Sequence, residues 1–88
     1  MYVEEFAVRI YSLCRKFNGS VTSWVRTAKR NSLVGGHPQS EHLVGLGADI
    51  VWDDPPALAE VQVVAVDLGL KVVRENDHDH IQPLERGK

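Results

Sequence analysis

The chain has a single cysteine, Cys14, so no disulfide can form within it. It has no uninterrupted apolar run near the ~20 residues that a membrane-spanning helix needs. Its first residues, Met1-Tyr2-Val3-Glu4-Glu5, show no basic region followed by an apolar stretch, so no export leader is legible. An excess of one charge is also missing: 10 Lys and Arg against 12 Asp and Glu leave a net charge of -2. That balance gives no long-range attraction to nucleic acid or an anionic membrane, and neither is expected as a partner. Gly35-Gly36 is followed by no Lys-Ser or Lys-Thr pair, which excludes a phosphate-cradling P-loop there. No repeat, low-complexity segment or interdomain linker is present.

What remains is one small domain, residues 1–88, with 43% hydrophobic and 25% charged residues. That balance is ordinary for a globular fold and argues against disorder. A domain of this size buries a modest core, and a bound metal is one way to reinforce it.

Residues 2–17 carry Val3, Phe6, Ala7, Ile10, Leu13, Cys14 and Phe17 at three- and four-residue spacing, which predicts an amphipathic helix. Cys14 reads as a small apolar member of that stripe. Asn18-Gly19 ends the helix, because both residues tolerate the left-handed backbone. Residues 20–26 are β-branched and aromatic and predict a strand ending at Arg26. Residues 27–34 suit a short helical turn, and Gly35-Gly36-His37-Pro38 suits a turn. A second strand is expected over 48–52, with Asp49, Val51 and Asp53 on one face and Ile50 and Trp52 on the other. Asp53-Asp54-Pro55-Pro56 predicts a helix start, with Asp54 as cap and Pro55 in the first helical position. Its buried side would be Leu58, Val61, Val64, Ala65 and Leu68, and Gly69 would stop it. Strands follow over 71–74 and 78–82, then a frayed tail. The implied class is α+β: a small, mainly antiparallel sheet with helices packed on one face and the other face open.

Two segments concentrate metal-binding chemistry. The first is Ser40-Glu41-His42-Leu43-Val44-Gly45-Leu46-Gly47-Ala48-Asp49, where Gly45 and Gly47 let the chain bend back between His42 and Asp49. The second is Asp77-His78-Asp79-His80, where His78 and His80 project from one face of a strand. Imidazole nitrogens and a carboxylate oxygen, with no thiolate, suit a catalytic Zn²⁺ held by three protein ligands. One metal site drawn from both segments is the expectation.

From Val21 to His80 the sequence resembles a known family. The strand ending Ser23-Trp24-Val25-Arg26, Asn31 before Gly35-Gly36, the Ser40-x-His42-x-x-Gly45-x-x-x-Asp49 string and Asp77-x-x-His80 stand in its order. The family is that of the zinc D-Ala-D-Ala carboxypeptidases and L-alanyl-D-glutamate endopeptidases, peptidases that share the Hedgehog/DD-peptidase fold. The resemblance implies zinc ligands at His42, Asp49 and His80, and a general base at Asp77. It also implies a substrate-anchoring Arg26, with His78 lining the site. The implied substrate is a peptidoglycan stem peptide and the implied cofactor Zn²⁺. With no leader, such an enzyme would be made in the cytoplasm and reach the wall on release, as a phage or prophage lysis protein does. A monomer is expected.

Two readings follow. The first is a zinc peptidase, carboxypeptidase or endopeptidase. The second is a non-catalytic, zinc-stabilised binding module of the same fold. Asp77 separates them, because a binding module needs ligands but no base. Strand alternation would put Asp77 on the opposite face from His80, so it has to sit in a bend or bulge. Asp79 has no role in either reading. Ser40 reads as a turn cap or a support for a ligand, Glu41 as solvated and His37 as a turn residue. Trp24 and Trp52 read as core in preference to sugar-stacking platforms.

Overall fold

The first helix, α1, spans Val3–Phe17, close to its predicted bounds. Glu4 and Glu5 lie in its first turn and Arg15 and Lys16 in its last, complementing the helix dipole at both ends. Asn18 closes it in the left-handed conformation, φ 57°. The computed structural model describes residues 1–24 and 45–84. Within them, β1 is Gly19–Ser23, β2 is Ala48–Trp52 and α2 is Leu58–Asp67. The hairpin of β3, Leu70–Arg74, and β4, Asp79–Pro83, follows.

The strands form one antiparallel sheet in the order β1-β2-β4-β3. β4 is therefore an inner strand, paired with β2 on one side and β3 on the other. Alternation along it sorts the side chains. Asp79, Ile81 and Pro83 are buried on one face, while His80 and Gln82, only half-buried, lie on the other. β2 matches it, with Ala48, Ile50 and Trp52 inward and Asp49 and Val51 outward, as the sequence predicts. Phe6, Ile10 and Leu13 of α1 join Val61 and Ala65 of α2 against that inner face, with Leu70, Val72 and Ile81 beneath. Both helices thus cover one face of the sheet, as expected for this α+β class. Among the described residues no helix is long and apolar enough to cross a membrane.

Gly19 shows how tightly α1 delivers the chain into β1. A Cβ there would lie 2.6 Å from the Trp52 ring and 2.7 Å from the Ile50 side chain. The Phe17 ring meets Trp52 edge-on, with centroids 6.0 Å apart. Trp52 is core, and Trp24 is partly buried with its Nε1–H donating to the Gly45 carbonyl at 2.9 Å. Cys14 is half-buried, and its desolvation pushes the thiol pKa up, in keeping with an apolar role.

β3 begins one residue earlier than expected, and β4 spans Asp79–Pro83 where the sequence predicts 78–82, so His78 precedes the strand and Pro83 belongs to it; two further boundaries differ more. The second helix begins at Leu58, with Ala57 at the cap and no side chain capping it, so Asp54 and Pro55 do not start it. The reason lies in Pro56, whose ring disfavours helical backbone at the residue before it and so keeps Pro55 out of the helix. The predicted buried side of this helix stands: Val61 and Ala65 are buried, and Leu58, Val64 and Leu68 pack against the core. Gly69, at φ 71°, ends it as expected. In the first strand, β1 stops at Ser23 and Trp24 is already outside it. A register shift between Val21 and Ser23 accompanies that end. The expected continuation to Arg26, the helical turn over 27–34 and the turn at 35–38 lie outside the described residues.

Candidate metal centre

The outward face of β2 and β4 brings the two sequence segments together. Asp49 and His80 are direct cross-strand partners. His80 Nδ1 lies 3.1 Å from Asp49 Oδ1, with both side chains 17% exposed. On the far side of the ring, Nε2 lies 3.0 Å from Gln82 Oε1. The ring can donate through either nitrogen: Nδ1–H to the Asp49 carboxylate, or Nε2–H to the Gln82 amide oxygen, which leaves the Nδ1 lone pair facing Asp49.

His78 stands just before β4 and points to the same side. Its Nε2 lies 3.7 Å from Asp49 Oδ1 and 3.7 Å from Glu75 Oε2. Its Nδ1 lies 2.6 Å from Asp77 Oδ1 and donates to it. Burial alone would lower the His78 pKa, but the Asp77 hydrogen bond and the charges of Asp49, Glu75 and Asp77 outweigh it, and the pKa is raised. Asp77 sits in the bend between the strands and is largely exposed. The bend resolves the alternation problem, since Asp77 is not a strand residue at all.

Asp79, without a role in the sequence, has a clear place in the structure. It is 1% exposed and lies on the core face, away from the His80 side. Arg74 grips it with two hydrogen bonds, Nε to Oδ1 at 2.8 Å and Nη2 to Oδ2 at 2.9 Å. Trp52 Nε1–H adds a third to Oδ2 at 2.8 Å. Burial pulls the carboxyl upward, but the Arg74 and Trp52 hydrogen bonds and the Arg74 charge prevail and hold its pKa below the ordinary value. The same bond raises the Arg74 pKa.

Of the residues singled out from the sequence, Asp49, His78 and His80 thus converge, with Asp77 against His78. His42 and Arg26 lie outside the described residues. Among the described residues no group of three His, Cys, Asp or Glu is arranged to hold a metal. The described pair does fit one edge of such a site. Zinc bonds of about 2.0–2.2 Å at a tetrahedral angle put a nitrogen and an oxygen ligand about 3.4 Å apart. The observed 3.1 Å is close to that edge. A ligand histidine also donates its other N–H to a neighbouring acceptor, which Gln82 provides. Sequence reasoning missed Gln82, although its two-residue offset from His80 on a strand was the available signal.

The chain matches the family model described as Peptidase M15 over residues 14–82. It belongs to the M15 zinc peptidase family, which includes D-Ala-D-Ala carboxypeptidases and L-alanyl-D-glutamate peptidases. Neither the curated proteins nor the solved structures return a match.

Proposed function

We propose that residues 1–88 form a single zinc peptidase domain of the Hedgehog/DD-peptidase fold that hydrolyses a peptide bond of the peptidoglycan stem. The Asp49–His80 pair carries this reading. Its donor atoms meet at 3.1 Å on the face opposite the core, with the second imidazole nitrogen already engaged. The family match across the same residues supports it.

In this reading Asp49, His80 and His42 hold one Zn²⁺. The metal, when bound, supplies a water acidic enough to be used near neutral pH. Asp77 accepts a proton during attack and returns it to the leaving amine. Its carboxylate accepts from His78 Nδ1–H, and the Nε2 of the same ring lies 3.7 Å from Asp49 Oδ1. His78 Nε2, turned toward Asp49, serves the same charged surface. Arg26 offers a planar fork for a substrate carboxylate.

The binding-module reading draws on one observation: the Asp77 carboxylate is turned onto His78. Digestion of purified peptidoglycan by the zinc-loaded chain, with mass spectrometry of the products, decides between the two. Release of a defined stem fragment or of terminal D-Ala supports the peptidase and names the bond. Intact stem peptides after digestion remove it in favour of the binding module. Arg26→Ala should leave zinc bound and weaken recognition of carboxylate-bearing substrates, seen as a raised KM.

A further inference from the structure

The structure assigns the Asp79–Arg74–Trp52 triad, centred on the buried Asp79, a positioning role: it sets the register of β4 so that His80 faces Asp49. Asp79 lies between His78 and His80 in sequence, yet it faces the opposite side of the sheet. Arg74 and Asp79 are also direct cross-strand partners, so their ion pair closes the β3–β4 hairpin. The loop beyond that closure holds Glu75, Asn76, Asp77 and His78, and Glu75 N–H donates to the His78 carbonyl across it at 2.9 Å. Arg74 Nη1 further ties the hairpin to the Pro56 carbonyl at 2.9 Å.

Hydrophobic contacts alone leave this register underdetermined. A slip of one residue would turn the whole inward set outward, and burial forbids it. A slip of two residues keeps the inward parity of Ile81 and Pro83. It would place His80 opposite Val51 or Gly47 instead of Asp49. Apolar packing tolerates that exchange far better than a two-pronged ion pair with a third donor does. The guanidinium fork holds β4 against β3 and the Trp52 N–H holds it against β2, so Asp79 meets both only in the observed register. A buried polar group retained for specificity in this way has precedent in other folds. The register part of the inference stands on its own; its consequence for metal rests on the zinc-site reading above.

The test is an apolar refill of the triad, Trp52→Phe with Arg74→Leu and Asp79→Val, in the full chain. Two readouts are compared with the parent: nuclear Overhauser contacts across the β2–β4 ladder, and Zn²⁺ affinity by competition with a chelator. The refilled chain is expected to fold, to lose or multiply the contacts between residue 49 and His80, and to bind Zn²⁺ at least ~10-fold more weakly. Parental contacts with parental affinity would overturn the proposal. Where the refilled chain does not fold, Asp79→Asn takes its place, with weakened Asp49–His80 contacts expected and parental contacts overturning the inference. If both unfold, the triad holds the entire fold, and a separate role in register is wrong. If the parent itself binds no Zn²⁺, the zinc reading fails, while the ladder contacts still decide the register.

Discussion

The two faces of the sheet at β4 each set an aspartate against a cationic or potentially cationic partner, and the two pairs are built differently. On the inner face Asp79 is 1% exposed and receives three hydrogen bonds, two from Arg74 and one from Trp52. Arg74 is charged at any relevant pH, so that pair is complete without a ligand. On the outer face Asp49 meets His80, whose charge depends on a proton and whose Nδ1 can instead share a cation with the carboxylate. Burial with a permanent cation yields a strut. Partial exposure with an imidazole partner is what the proposed zinc site requires. Asp77-His78-Asp79-His80 supplies residues to both because a strand sends neighbours to opposite sides.

Predictions that separate the faces begin with the outer one. Asp77→Asn keeps the size of the side chain but cannot take a proton at neutral pH. Peptidase activity should fall at least ~100-fold while zinc content, by elemental analysis, stays at the parental level. Loss of zinc in that variant would make Asp77 a ligand and redraw the site. The inner face should respond in stability. Arg74→Ala leaves a buried carboxylate without its cation, and urea denaturation should show a loss of about 3–5 kcal/mol. A change under 1 kcal/mol would mean that Asp79 is not the strut its burial indicates.

Smaller effects sharpen the contrast. Gln82→Ala removes the acceptor for His80 Nε2–H and should weaken zinc binding about 10–100-fold with little change in apo stability. An unaltered affinity would show that Gln82 does not orient the ring. The acid limb of stability should also carry a signature of Asp79. Its pKa is depressed in the folded chain, so its contribution is present above the ordinary carboxyl value of about 4. It is lost as pH falls through the lower, folded value. Asp79→Asn should therefore flatten the stability profile below about pH 4, and an identical slope in both chains would contradict the assignment.

Much of this architecture is legible in the sequence because it follows period. The Phe6-Ile10-Leu13 stripe announces α1, and the alternation of Ala48-Asp49-Ile50-Val51-Trp52 announces a strand with Asp49 turned from the core. His78 and His80 share a side, as their two-residue offset predicts, although His78 precedes β4. The start of α2 is misread because a lone Pro favours a helix start, whereas Pro55-Pro56 delays it. The role of Asp79 is hidden for another reason. Its partners Arg74 and Trp52 come from two other strands, and only the order β1-β2-β4-β3 sets all three beside one another. Local pattern shows which face a residue takes, but strand order decides whom it meets there.

The central claim is that Asp49 and His80 hold a metal, and calorimetric titration of the metal-stripped full chain with Zn²⁺ tests it most directly. Asp49→Ala and His80→Ala chains are titrated beside the parent. One zinc per chain in the parent, with binding lost in both variants, is the predicted result. A parent that takes up no zinc, or a His80→Ala chain that binds it as tightly as the parent, would contradict the claim.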